Sequence, residues 1–215
     1  MFGVGMPDTV IPINGESVVG DLVIPGHCTG LVVFAHGRGS SRFSPRNQYV
    51  AHELQRAGFA TLLFDLLTPD EAIRQDLVFN VDLLADRIRT VLRWVRQDSK
   101  LAALPIGLFG ASTGAAGALI AATDQAVAVA AIVSRGGRPD LAMQQLGKVT
   151  APTLLIVGGA DQDVLHLNEM AAKFLTCKHE IRVISGATHL FEEPGALEDV
   201  AAAATAWFEA HLRSA

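Results

Sequence analysis

Cysteine is scarce in this chain. Cys28 and Cys177 are its only two; their spacing is not that of a metal site, and a single disulfide would be an odd staple for so large a core. Two free thiols in a reducing cytoplasm are the expected state. Charge is sparse as well: 18% of residues carry one, and the balance is acidic, with a net charge of −5 and a pI near 5.8. No lysine/arginine cluster offsets it, which argues against nucleic acid and an anionic membrane surface as partners. Long apolar runs are missing. The longest clean one, residues 126–133, falls far short of the ~20 residues that cross a bilayer. No basic segment followed by an apolar one opens the sequence, and Asp8 interrupts it, so no secretory leader is expected and the protein is expected to be soluble. A full Gly-x-Gly-x-x-Gly, a phosphate loop and metal-ligand spacing are also missing, so no cofactor and no metal are expected. Nothing repeats internally and no linker interrupts the chain, which reads as one domain over residues 1–215.

What is present is an alternation. Half of the residues are apolar, gathered in short continuous runs separated by helix-period stripes. Residues 8–24 read as two strands around Asn14-Gly15, a strong hairpin signal. Residues 31–35, 61–64, 105–110, 126–133, 152–157 and 181–184 read as strands, apolar enough to be buried on both faces. Helices are expected over 46–57, roughly 71–97, 115–122, near 140–147 and over 164–176, with a final one carrying Leu197, Val200, Ala204, Trp207 and His211 on one stripe. The 71–97 helix rests on Leu77, Val81, Leu84, Ile88, Val91 and Val95 at steps of four and three. The 164–176 helix is read with Val164, Leu167, Met170 and Phe174 inward. This order predicts an α/β fold, a mostly parallel sheet with helices on both faces, whose ligands bind beyond the carboxyl ends of the strands.

Gly110-Ala-Ser-Thr-Gly114 sits between the 105–110 strand and the small-residue run that follows. A serine between glycines at a strand-to-helix turn is a nucleophile elbow: the turn strains the serine backbone, and side chains two positions before and after it would collide. By chance alone a chain of this composition shows the pattern about 0.08 times, so its surroundings decide. They supply an acid and a base in the order Ser, Asp, His. Asp161 follows the 152–157 strand and its Gly-Gly bend, and His189 follows the last strand. His189 would take the Ser112 proton and return it to the leaving group, while Asp161 holds the imidazole tautomer. Asp163 is the rival acid. His36 reads as a shaper of the loop at 36–41, and Asp65 as a structural carboxylate. Oxyanion donors are expected from the Thr113 N–H and from the Arg38 N–H, with Gly37 and Gly39 giving the loop positive φ. Five arginines, 38, 42, 46, 135 and 138, fall in loops or helix starts on the same side. Arg135 and Arg138 are the candidates for binding a substrate carboxylate.

On His36-Gly-Arg-Gly-Ser-Ser41, Phe64-Asp-Leu-Leu-Thr68, Gly110-Ala-Ser-Thr-Gly114, Val157-Gly-Gly-Ala-Asp161 and Thr188-His-Leu-Phe-Glu-Glu-Pro194, the chain resembles small α/β hydrolases of the dienelactone hydrolase-like branch, a type that also occurs fused to phosphoribosyltransferases. The resemblance covers nearly the whole chain. Dienelactone hydrolases proper carry cysteine at the elbow. Ser112 in that place favours ordinary serine esterase chemistry on short acyl esters, lactones or thioesters. The segment between the strands at 126–133 and 153–157 is too short for a helical cap, so an open pocket rimmed by residues 38–46, 66–80 and 135–140 is expected. An acyltransferase or peptidase built on the same triad, and a non-catalytic binding module, are the alternatives.

Overall fold

The computed structural model describes residues 8–13 and 15–212. Strands β1 (Thr9–Ile13) and β2 (Glu16–Val23) pair as an antiparallel hairpin. Asn14, half of the expected turn signal, lies outside the described residues, and Gly15 next to it takes φ 88°. Strands β3 (Leu31–Ala35), β4 (Ala60–Phe64), β5 (Ile106–Ala111), β6 (Val129–Arg135), β7 (Thr153–Gly158) and β8 (His179–Ile184) run parallel to one another. The eight strands form one sheet in the order β1-β2-β4-β3-β5-β6-β7-β8, with the hairpin joined antiparallel through β2 and β4.

Helices cover both faces, which is why the central strands are apolar at every position. The helices in chain order are α1 (Pro45–Arg56), α2 (Pro69–Ala72), α3 (Gln75–Val78), α4 (Val81–Val95), α5 (Thr113–Ala121), α6 (Gln162–Ala172) and α7 (Ala196–Leu212). Val33, Leu108, Ile132 and Leu155 point into one core with α4, α5 and α6. Their neighbours Val32, Phe34, Phe109, Val133, Leu154 and Ile156 point into the other with α1 and α7. Successive side chains of a strand face opposite ways, so one apolar run feeds both cores.

The structure departs from the sequence reading in four places, each for a local reason. The expected 71–97 helix is three pieces. Thr68 and Glu71 form a reciprocal capping box that starts α2 at Pro69, and Asn80 accepts the Leu83 N–H to start α4 afresh. The apolar stripe is right from Val81 onward. Next, the strand expected at 126–133 begins three residues later. Asp124 Oδ1 accepts the Ala126 N–H in a tight turn, and Ala128 takes φ 45°. Val127 is fully buried there as a loop residue. The helix expected near 140–147 is instead two 3-10 turns, Pro139–Ala142 and Leu146–Lys148. No cap rises from this segment. Finally, α6 turns Asn168, Ala171 and Ala172 inward and leaves Met170 and Phe174 exposed: the small residues, not the large ones, sit against the sheet.

Candidate active site

The centre of the site is the turn from β5 to α5. Ser112 sits there at φ 51° and ψ −123°, a conformation that side chains other than glycine rarely adopt. The glycines on either side are required by space. A Cβ at Gly110 would run into the Ala115 backbone, and one at Gly114 would run into the carbonyl oxygens of Ala35 and His36. Helix α5 can therefore start directly against the ends of β3 and β5. Its first N–H, on Thr113, has no acceptor within the helix, and the positive end of the helix dipole lies beside Ser112.

Asp161 and His189 are brought together: His189 Nδ1 lies 2.7 Å from Asp161 Oδ2. The bend that makes this possible is Gly158-Gly159. A side chain at Gly158 would collide with the carbonyl oxygens of Ala187 and Thr188, so the two loops approach only where glycine stands. Asp161 occupies the N-terminal position of α6 but does not cap it; its carboxylate is turned to His189. Asp163 is exposed in the first turn of that helix. With Nδ1–H donated to the carboxylate, Nε2 is left as the basic nitrogen. Ser112 and His189 meet the same segment of chain. The Ser112 N–H donates to Arg135 O at 3.3 Å, and the Arg138 N–H donates to Ser112 O at 3.1 Å. A Cβ on Gly136, between them, would lie 3.6 Å from His189 Cε1. Ser112 Oγ makes no hydrogen bond to the described residues. Catalytic hydrogen bonds often tighten only with substrate in place.

The loop after β3 lies against Ser112. Gly37 has an ordinary φ, and only Gly39 takes a positive one, 65°. Gly37 is needed for room: a Cβ there would stand 2.8 Å from Ser112 Cβ. The Arg38 N–H is 3.2 Å from Thr113 Oγ1, to which it donates, so the two expected oxyanion donors are neighbours tied by one side chain. His36 braces this loop from below. Its Nδ1 donates to Gly37 O at 3.0 Å and its Nε2 accepts the Leu66 N–H at 3.0 Å. That arrangement needs the neutral ring, and burial accordingly pushes the His36 pKa below the ordinary histidine value.

A cavity of about 460 Å³ opens beside Thr113 and the loop at 36–43. Its far wall is apolar, with Val18, Leu66, Val78 and Leu84. Two of the three expected rims contribute, the loop from Arg38 and the segment from Leu66 to Val78. Residues 135–140 do not line it; the 3-10 turn that begins at Pro139 packs on α5 and α6 instead. In its place the hairpin contributes Ser17, Val18 and Val19, which nothing in the sequence tied to the site.

The arginines are dispersed by their partners. Arg42 is held by Asp65 at 2.6 Å, by Asp21 at 3.3 Å and by Asp8 at 3.4 Å, and Arg46 by Glu192 at 3.2 Å. Arg138 makes a two-pronged pair with Asp140, both contacts at 2.8 Å. Arg135 is buried, donates to Asn47 Oδ1 at 3.0 Å and lies over the Phe191 ring. Burial, with Arg46 nearby, pushes its pKa down to about 10. Neither Arg135 nor Arg138 reaches the cavity, so the carboxylate contact expected of them has no geometry behind it. Arg38 does line the cavity; its guanidinium lies 4.8 Å from the Phe79 ring centre and meets no carboxylate among the described residues. Asn47 and Asn168 were missed in the sequence, although each is a polar residue on an inward stripe. Asn168 is fully buried and donates to Gly137 O at 3.0 Å, fixing the turn that flanks Ser112.

A strained serine at a strand–helix elbow, a paired histidine and aspartate, and an eight-stranded sheet of this order define an α/β hydrolase fold. Residues 20–212 match the dienelactone hydrolase family, and the chain belongs to that family. It is 58% identical over 195 residues to a Mycobacterium tuberculosis protein provisionally named a phosphoribosyl transferase, a match covering 91% of this chain and 44% of that one. The chain thus spans less than half the length of that relative. A dienelactone hydrolase from Anabaena variabilis superposes with a TM-score of 0.93 at 49% identity, over 96% of this chain and 97% of the other. A Bradyrhizobium protein provisionally named 2-oxo-3-(5-oxofuran-2-ylidene)propanoate lactonase is 27% identical over 209 residues, 85% of this chain and 82% of that one.

Proposed function

We propose that this protein is a serine hydrolase that cleaves short acyl esters, lactones or thioesters through a covalent acyl-enzyme. The observation that carries the reading is the strained Ser112 at the elbow together with the 2.7 Å pair of His189 and Asp161. His189 Nε2 takes the Ser112 proton as Oγ attacks the carbonyl carbon. The oxyanion that forms is met by the N–H of Thr113 and the positive end of α5. The Arg38 N–H joins them by leaving Thr113 Oγ1 as the substrate arrives. The proton on Nε2 passes to the leaving oxygen or sulfur, and water repeats the sequence to release the acid. Asp161 keeps the proton on Nδ1 throughout and stabilises the imidazolium.

The cavity supports small substrates: its volume of about 460 Å³ lies at the modest end of ligand pockets, and its wall is apolar. A lactone substrate is in keeping with the name of the Bradyrhizobium relative, while serine rather than cysteine at the elbow favours simple esters as well. Transfer to an acceptor other than water needs the same groups. The transferase name attaches to a relative of which this chain covers 44%. We place the protein in the cytoplasm, where Cys28 and Cys177, both free, would stay reduced. A panel of p-nitrophenyl esters and lactones, with fluorophosphonate labelling of wild type and Ser112→Ala, tests the proposal. Turnover of at least one ester and labelling confined to Ser112 are expected. A protein that neither labels nor turns over any member of the panel is a binding module instead.

A further inference from the structure

The two edges of the sheet are built differently. At one edge β1 carries Pro12, which has no N–H to offer a neighbour. At the other, β8 runs for six residues, His179–Ile184, without proline or glycine. Its hydrogen-bonding sides are fixed by β7: the Thr153 N–H donates to Lys178 O at 2.9 Å, and the Gly159 N–H donates to Ile184 O at 2.8 Å. Backbone groups alternate along a strand, so those of Glu180 and Arg182 also face β7, and those of His179, Ile181 and Val183 face away from the sheet. Among the described residues nothing pairs with them. An open edge of this kind is a template for another strand.

We infer that the occupant is a second copy of this chain, paired antiparallel about a two-fold axis through Ile181. On that axis Ile181 meets the partner's Ile181, and His179 meets the partner's Val183, each pair exchanging outward N–H and C=O groups. Glu180 then stands opposite the partner's Arg182, and Arg182 opposite the partner's Glu180, at the positions where side chains approach most closely, about 4.5–5.5 Å between Cβ atoms. The charges favour this register over its two immediate neighbours. A two-fold through Glu180 sets glutamate against glutamate, and one through Arg182 sets arginine against arginine. In the single chain these side chains fold onto each other at 2.6 Å while both remain near half exposed, so the pairing exchanges one partner for an equivalent one. The other face of the edge carries exposed apolar side chains beside His179. Val183 is 45% exposed, and Phe174, in the turn leading into β8, is 53% exposed. Antiparallel pairing sets the Phe174 end of one copy near the Val183 end of the other, extending two eight-stranded sheets into one.

Sedimentation velocity on the full chain between ~1 and ~100 μM should show a monomer–dimer equilibrium. Glu180→Arg and Arg182→Glu, each changing two symmetric contacts from attraction to repulsion, should each weaken the dimer by roughly tenfold or more. Mixed one to one, the two variants should associate with each other, and the double variant Glu180→Arg/Arg182→Glu should dimerise like wild type. Thermal melting of each variant shows that the fold is retained. A wild-type chain that stays monomeric at ~100 μM overturns the inference. So does a dimer indifferent to both reversals, which would use another surface.

Discussion

Asp161→Asn removes one oxygen's charge and little else. The carboxylate does not cap α6 and is mostly shielded, and its partner is His189 Nδ1 at 2.7 Å. An amide of the same shape fits the same space, so the fold should survive. The chemistry should not. An asparagine oriented with its NH2 toward Nδ1 favours the imidazole tautomer with the proton on Nε2, which leaves nothing to accept the Ser112 proton. An asparagine oriented the other way keeps the tautomer but loses the charge that stabilises the imidazolium. A wrong tautomer in a triad of this type lowers kcat by roughly 10⁴, about 5.5 kcal/mol of barrier.

The assay is kcat/KM on a p-nitrophenyl ester, read beside urea unfolding of the same preparation. Asp163→Asn is the matched control. It lies two residues on, is exposed, and should alter only its favourable place in the first turn of α6, about 0.3–1 kcal/mol of stability with activity kept. A loss for Asp161→Asn below about tenfold, or an equal loss for Asp163→Asn, would refute the assignment of the acid.

Ser112→Ala should abolish fluorophosphonate labelling and nearly all ester turnover while the protein stays folded; retention of a tenth of wild-type kcat, about 1.4 kcal/mol of barrier, would remove Ser112 as nucleophile. Gly114→Ala drives a methyl group into the Ala35 and His36 carbonyls and should destabilise the fold by about 1–3 kcal/mol or more, read as a fall in urea midpoint; an unchanged midpoint refutes the packing argument. His36 has a folded pKa lowered by burial from 6.5, so the unfolded chain binds the proton first and stability is lost as pH falls below that value. The drop in urea midpoint between about pH 7.5 and about pH 5.5 should therefore shrink in His36→Gln, and an unchanged drop would assign it to other groups. Arg38→Gln keeps the backbone N–H and removes a guanidinium that meets no carboxylate among the described residues, so it should lower kcat/KM for an acidic ester by roughly 10–150-fold and spare a neutral ester of equal length, whereas Arg135→Gln should change both in parallel.

Legibility followed the range of the forces involved. Strands β3, β4, β5 and β7 were read to within a residue or two because their apolar runs are bounded by glycine, proline or charge, and both their faces need burial. The elbow was legible because steric exclusion at Gly110 and Gly114 is local. The restart of the 71–97 helix was written in Asn80, but an apolar stripe from Leu77 to Val95 runs past that cap and outweighed it. Buried polar residues were harder. Asn168 falls on the stripe with Ala171, Ala172 and Leu175, yet larger apolar side chains nearby drew the face the wrong way. The cavity wall at Ser17–Val19 was beyond sequence reasoning, since it depends on β2 pairing with β4 and not with β3, the next strand in sequence.

The arginines show where composition stops being informative. Five of them in loops or helix starts on one side of an acidic protein suggested a basic site mouth, but only Arg38 and Arg42 line the cavity. What decides their roles is the set of carboxylates that the fold brings alongside. Arg42 gathers Asp8, Asp21 and Asp65 from three separate segments and pins the hairpin to the loop at 36–43. Arg138 is neutralised two residues away by Asp140. Arg135 is buried with an amide for a partner, and a cation held that way costs desolvation energy wherever it sits. Its position between Asn47 on α1 and Phe191 two residues past His189 makes it a brace for the histidine loop. Arg38 remains. It combines the backbone N–H proposed for the oxyanion with a guanidinium at the cavity that no described carboxylate claims. One residue would then contribute both to rate, through its N–H, and to substrate choice, through its side chain. A glutamine at this position separates the two, since every amino acid except proline supplies the first contribution and only a cation supplies the second.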